Sequence, residues 1–506
     1  MLKQSEASKF PGELKHLKYE IEEYARQFGL DFFPVIFEVL NYHELNEVAA
    51  YGGVPHRYPH WRFGMQYEYM GKSYGYGLHK IYEMVINNNP CYAYLLSSND
   101  MVDQKLVISH VYAHCDFFKN NAYFAHTNRK MIDEMANHGI RVQRYVDRHG
   151  QDAVEEFFDV CASIENLIDG SALFESGSIQ RPAGDGDTEA EVLDVPRLKS
   201  KSYMDAFINP PEYIERRRRE MEEARKKSAR FPAQDVKDVL LFLIEHAPLL
   251  NWQRDVLSIV REEAYYFAPQ AMTKIMNEGW ASYWHEKMMT ERVLEPSELI
   301  DFADHHSGTL AVHSGQLNPY KLGYELFHDI EHRWNTGRFG KDYDECDDLR
   351  AKADWDTGAG LGREKIFQVR SIYNDMTFID DFLTEEFCRE HKMFTYALNE
   401  RTGNFEIDNR NFQAIKEKLL FSLTNMGQPY IYVADGNFEN RGELYLKHRF
   451  DGVELRQDYA KATLENLHKI WTRPVHVETV VEEKVTLLTY DGANHRERTM
   501  GEHSAA

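Results

Sequence analysis

No stretch of this 506-residue sequence approaches the 18 or so consecutive apolar residues that a membrane span needs. The most apolar run, Val239–Ile244, is broken at once by Glu245 and His246. The opening residues, Met-Leu-Lys-Gln-Ser-Glu, lack the apolar core of a signal peptide, so export is not expected. Cysteine is scarce: Cys91, Cys115, Cys161, Cys346 and Cys388 are scattered, odd in number and never spaced C-x-x-C. That excludes a disulfide framework and a Cys-type zinc finger, and it fits a reducing cytoplasm. Basic charge is also short. Against 82 Asp and Glu stand 59 Lys and Arg, a net charge of −23, which is the wrong sign for general nucleic-acid binding. The one basic run, Arg216–Arg219, is flanked by acids and reads as a solvated helix face. No internal repeat is present.

What is abundant is apolar and aromatic. Hydrophobic residues make up 43%, enough for a globular core, and the 13% of aromatics suggests ring-lined interiors. The length calls for two or three domains. Helical periodicity marks 13–29, 127–148, 151–169, 235–246, 251–267 and a short helix near Leu40–Tyr51. Residues 66–86 turn helical towards their end, which places Glu83 in an apolar helical segment. Between these two elements lies a loop, 55–64, so dense in rings that it should pack onto a core or line a pocket. Cys91–Leu96 reads as a short buried strand, and a helix runs from Asp103 towards Phe117. Residues 178–200 lack apolar periodicity and read as an acidic linker, and a highly charged helix follows over 210–230. Residues 346–392 are mostly helical. The texture changes near 395: strands over Phe394–Ile407, Tyr430–Ala434, Glu443–Phe450 and Val475–Thr489 alternate with helices at 410–424 and 457–471. The last dozen residues are polar and read as frayed. The expectation is a mainly α protein with a small C-terminal α+β domain. It divides into a helical part over 1–177, the linker, a second helical part over 201–393 and the α+β domain over 394–500.

Two segments carry chemistry. In Ile275–His285, a helix expected from about Met272 to Glu291, Glu278 and His285 stand seven residues apart. Seven steps of about 100° return to within roughly 20° of the start, so the two share a face. Trp280, Tyr283 and Trp284 surround them, and a buried Glu and His need partners. Upstream, His110 and His114 at i and i+4 offer two nitrogens from one helix face, the spacing by which a helix serves a tetrahedral metal. Asn277-Glu278-Gly279-Trp280-Ala281 is the kind of segment that supplies the third, carboxylate, ligand in zinc peptidases. Small Gly279 and Ala281 would let it approach the first helix. The bland alternative is a buried Glu–His cluster that cross-links two helices. In such peptidases the residue after the first His is a Glu that serves as general base. Here it is Val111. Glu83 is the first substitute, with His285, Asp116 and His306 behind it; His305, His306, His56 and His60 otherwise read as ordinary loop histidines.

The blocks His110-Val-Tyr-Ala-His114-Cys-Asp-Phe-Phe-Lys-Asn-Asn, Ile86-Asn-Asn-Asn-Pro90, Met276-Asn-Glu-Gly-Trp-Ala-Ser-Tyr-Trp-His285 and Asn318-Pro-Tyr-Lys-Leu-Gly323 resemble the signature blocks of the SpoVR family, stage V sporulation protein R. Phe367–Arg370 and Asn374–Ile379 fit it too. The resemblance implies a cytoplasmic protein tied to spore cortex formation or to stress responses. It also implies partners encoded alongside, a serine protein kinase and a protein resembling a von Willebrand A domain. The Glu-Gly-Trp-Ala segment separately resembles the second metal motif of gluzincin-type metallopeptidases. That likeness implies a gluzincin-like helical core with a two-helix metal site: His110, His114 and Glu278 around zinc or another divalent ion, with Glu83 or His285 handling protons. The expected activity is metal-assisted hydrolysis of an amide or peptide-like bond, and the acidic charge and aromatic interior suit a neutral or cationic substrate. The rival expectation is a regulatory or scaffold partner of the kinase, without catalysis.

Overall fold

A computed structural model describes residues 12–75, 83–172, 231–311, 317–399 and 404–502, together with 210, 215, 216 and 219. The expected linker at 178–200 lies outside these residues, as does nearly all of the charged helix at 210–230. The chain forms two compact units. The first comprises Met1–Glu156 with Glu262–Gln428, the second Phe157–Arg261 with Pro429–Ala506. The expected α+β segment is thereby shared: 395–428 belongs to the first unit and 429–506 to the second.

Counting helices of eight residues or more, the first unit opens with α1 (Gly12–Gln27), β1 (Val35–Leu40), α2 (Tyr42–Ala50) and α3 (Trp61–Gly75). Then come β2 (Glu83–Ile86), β3 (Cys91–Leu96), α4 (Met101–Asn120) and α5 (Met131–His149). The three strands form one sheet in the order β1-β3-β2, with β1 parallel and β2 antiparallel to β3. Glu83 is therefore not helical. It begins β2 opposite Leu95, because Met84-Val-Ile finds the buried strand Cys91–Leu96 to pair with across a tight Asn-Asn-Asn-Pro turn. An apolar run this short has no period of its own, so the partner decides its conformation.

After α6 (Gln151–Ala162) and α7 (Val239–His246), the long α8 (Asn251–Met272) leads into α9 (Lys274–Met288). Further on lie α10 (Leu299–Thr309), α11 (Pro319–Thr336), α12 (Gly362–Ile372), α13 (Asp375–Phe382) and α14 (Phe412–Leu423). The main core of this unit gathers α1, the sheet, α4, α9, α11, α12 and α13 around Tyr112, Trp280, Trp284, Phe327 and Phe378. α4 and α9 are buried on almost every side, as helices in the middle of a core must be. The segment Phe394–Ile407, expected as one strand, belongs instead to the hairpin of β4 (Thr395–Asn399) and β5 (Asn404–Asn409).

The second unit is built on a five-stranded sheet, in the order β10-β9-β8-β7-β6, from β6 (Tyr430–Phe438), β7 (Glu443–Arg449), β8 (Val475–Val481), β9 (Lys484–Tyr490) and β10 (His495–Glu502). Only β7 and β8 run parallel, and α15 (Gln457–Trp471) makes the crossover that a parallel pair requires. The expected single strand Val475–Thr489 is a hairpin turned at Glu482 and Glu483, both at positive φ, the geometry of a two-residue type I′ turn. Of the last dozen residues, expected to be frayed, His495–Glu502 form β10, paired antiparallel to β9, and 503–506 lie outside the described residues. Its charges suit an edge strand, which needs backbone bonds on one side only.

Candidate metal centre

α4 starts at Asp100, whose side chain accepts from the Asp103 N–H. α9 has no cap from its own Thr273; the carboxylate of Asp375 accepts from the N–H groups of Ile275 and Met276 at 2.8 and 2.9 Å. The two helices are pinned by Asp116. Its buried carboxylate accepts from Trp280 Nε1 on α9 and the Asp31 N–H, and pairs with Arg370 on α12. Two turns of α4 thus face one turn of α9, and His110, His114 and Glu278 meet, all buried.

His114 Nε2 lies 3.4 Å and His110 Nε2 3.7 Å from Glu278 Oε2. That oxygen is shielded from solvent and accepts no hydrogen bond. The separations are too long or misdirected for hydrogen bonds, yet two donors each about 2.0–2.1 Å from a tetrahedral ion stand roughly 3.3 Å apart. The far nitrogens are also engaged as metal-binding imidazoles require. His114 Nδ1 faces Asn277 Oδ1 at 2.9 Å, and His110 Nδ1 faces His285 Nδ1 at 2.8 Å. With each Nε2 turned to Glu278, Nδ1–H of His114 donates to Asn277 and Nδ1–H of His110 donates to His285. His285 in turn reaches His306 Nδ1 through Nε2 at 2.9 Å, so three imidazoles form one chain. Burial, then the neighbouring imidazoles, holds the His285 pKa well below its ordinary value, consistent with a neutral ring that accepts on one side and donates on the other. The other carboxylate oxygen of Glu278 takes Lys274 Nζ at 2.5 Å. Burial pushes the Glu278 pKa up, but His110, His114 and Lys274 outweigh it and keep the group a carboxylate. A buried carboxylate oxygen facing two imidazole nitrogens across a gap of ligand dimensions fits a divalent ion, and imidazole with carboxylate is a zinc donor set.

Comparison with known proteins places these residues in a family. The profile described as SpoVR like protein matches residues 9–428, and that described as SpoVR-like C-terminal domain matches 429–482. The chain belongs to the SpoVR family. It is similar to the uncharacterized protein YcgB of Escherichia coli (strain K12), at 29% identity over 502 residues, covering 92% of this chain and 91% of the other. No solved structure matches. The boundary between the two SpoVR profiles coincides with the return of the chain to the second unit at Pro429. No helix among the described residues is long and apolar enough to cross a membrane.

Within this SpoVR fold the other expected site residues fare differently. His285 is brought in, but behind His110 rather than beside Glu278 Oε2. His306 and His305 lie on α10, not in a loop; His306 ends the imidazole chain and His305 pairs with Asp103 at 2.7 Å. Asp116 is consumed as the pin between helices, and burial raises its pKa to about 6 against the pull of Arg370. Val111 is fully buried in the main core. Glu83 is placed by its backbone alone, on β2. His60 is buried elsewhere and His56 is exposed. Gly279 does make a close approach, but to Gly323 of α11 and not to α4. The sequence reading assigned no role to Lys274, Asn277 or Tyr320, whose ring stacks on His110 at 6.4 Å. Lys274 was within reach of it, since i−4 from a ligand is the same helix face.

Proposed function

We propose that this SpoVR-family chain holds a divalent ion, zinc foremost, between α4 and α9 in a gluzincin-like arrangement, and hydrolyses an amide or peptide-like bond. The observation that carries the reading is the convergence of His110 Nε2, His114 Nε2 and Glu278 Oε2 while both Nδ1 atoms are held from behind. When bound, such an ion supplies Lewis acidity towards a carbonyl and an attacking water. The chain's own residues do the rest: Asn277 and His285 orient the two imidazoles, and Lys274 keeps Glu278 charged and presents an ammonium beside it. Metal analysis of the purified protein should find about one zinc per chain, lost in His110→Ala and Glu278→Gln. Well-folded wild type without metal would sink the reading.

A second reading is favoured by Val111. With the position after His110 packed into the core, no carboxylate stands where such peptidases keep their base, and the chain is then a regulatory or scaffold partner of a serine protein kinase in spore formation or stress response. Amide and ester substrates screened against wild type and His114→Ala separate the two. Metal-dependent turnover lost in the variant supports the hydrolase; kinase co-purification without turnover supports the scaffold.

A further inference from the structure

The ring-dense loop at 55–64 is not spent on the metal centre. It closes a separate cavity of about 710 Å³ between α2 and α3, in the size range of small-molecule sites. The walls carry five phenyl or phenol rings, from Tyr42, Tyr51, Tyr58, Phe63 and Tyr67, and two carboxylates, Glu44 and Glu47. No lysine or arginine is among the described lining residues. Tyr51 meets Phe63 edge to face at 5.2 Å and 77°, and Tyr58 meets Phe63 tilted at 5.5 Å and 57°. Two of them already attract cations in this fold. The Arg62 guanidinium lies 4.9 Å from the Phe63 ring centroid, and that of Arg57 lies 5.3 Å from Tyr58. Arg57 spends its charge on Glu263, at 2.5 Å.

The acids differ in what they do. Glu44 belongs to the capping box of α2 and accepts from the Asn41 N–H. Glu47, one turn on along the same helix face, is exposed at the rim and makes no ion pair among the described residues, so two solvated carboxylates border a cleft walled by aromatic rings. Ring faces and carboxylates attract the same kind of ligand, a cation with an apolar body. Residues three apart on a helix have Cβ atoms about 5–6 Å apart, so the acids offer two anchoring points on one wall.

We propose that this cavity binds a linear aliphatic diammonium, its methylene chain against the rings and its two ammonium ends at Glu44 and Glu47. The site shares no residue with the metal centre and stands independently of it. Calorimetric titration of the full-length protein with 1,4-diaminobutane should give saturable one-to-one binding, with butylamine about tenfold weaker and 1,4-butanediol silent. Glu47→Gln and Tyr67→Ala, both substitutions at the cavity wall outside the main core, should each weaken the diamine about tenfold with an unchanged thermal melt. Glu47→Gln should also bring diamine and butylamine to similar affinity. Absence of diamine binding at millimolar concentration, equal binding of the diol, or unaltered affinity in Glu47→Gln would each overturn the assignment.

Discussion

An imidazole that binds metal through one nitrogen is aimed by whatever its other nitrogen touches. In the proposed site Asn277 and His285 would do this for His114 and His110, whose Nδ1 atoms they hold at 2.9 and 2.8 Å. Asn277→Ala and His285→Phe should leave the circular dichroism spectrum in place and weaken zinc roughly 10–100-fold in competition with a chromophoric chelator; undiminished affinity in both would show that the rings are aimed by packing alone. A second buried histidine makes a pH-dependent statement. His138 sits between Glu262 and Glu263, at 3.2 and 3.3 Å. Burial pulls its pKa down, but the two carboxylates outweigh that and lift it to about 9. Against an unfolded value of about 6.5, the folded state holds this proton more tightly. Its contribution is therefore complete below about pH 6.5 and fades as pH rises through 9. The difference in urea midpoint between wild type and His138→Gln should shrink from pH 6 to pH 9.5; a constant difference would contradict the assignment. At this scale the meeting of His110, His114 and Glu278 was legible because i, i+4 spacing fixes the two imidazoles on one face. Asn277 was not, because nothing in a sequence tells which way an amide beside a ligand will turn.

Helix against helix, α9 crosses α11 in close contact. A Cβ on Gly279 would collide with the backbone of Gly323, and one on Gly323 with the Ile275 carbonyl and Gly279. Backbone cannot step aside as a side chain can, so Gly323→Ala should cost at least the 1–3 kcal/mol typical of overpacking. Because Glu278 adjoins the crossing, bound zinc should fall with the melting temperature. A variant that melts like wild type would mean that the helices have room to separate. The helices were readable because long periodic segments announce themselves. The strands were less so. Val35-Ile-Phe-Glu-Val-Leu passed unmarked and Glu83-Met-Val-Ile looked helical, since each is short and is fixed by a neighbour distant in sequence. β10 was hidden by its own polarity: a strand pairs through backbone groups, to which hydropathy is blind.

Across the whole molecule, every residue of the candidate metal centre lies in the first unit, and both units are assembled from two separated stretches. No composition shift marks the exit at 157 or the return at 262, because a helix that changes unit keeps its period. The profile boundary at 428 is thus not a place to cut. Val236 pairs with Val433 of β6, and Phe242 of α7 stacks on Trp471 of α15 at 5.8 Å. Truncation after Gln428 should leave zinc binding intact while hydrogen exchange over 231–261 accelerates to unprotected rates; protection retained there would show that these residues fold without the sheet. The same interleaving bears on how the protein is made. Residues 157–261 leave the ribosome before 429–506, and until then Phe242 has Phe231 and His246 beside it but lacks Trp471. A chain stopped before β6 would keep His110, His114 and Glu278 together in the first unit but leave Phe242 without Trp471 to stack on, an apolar flank open to proteases.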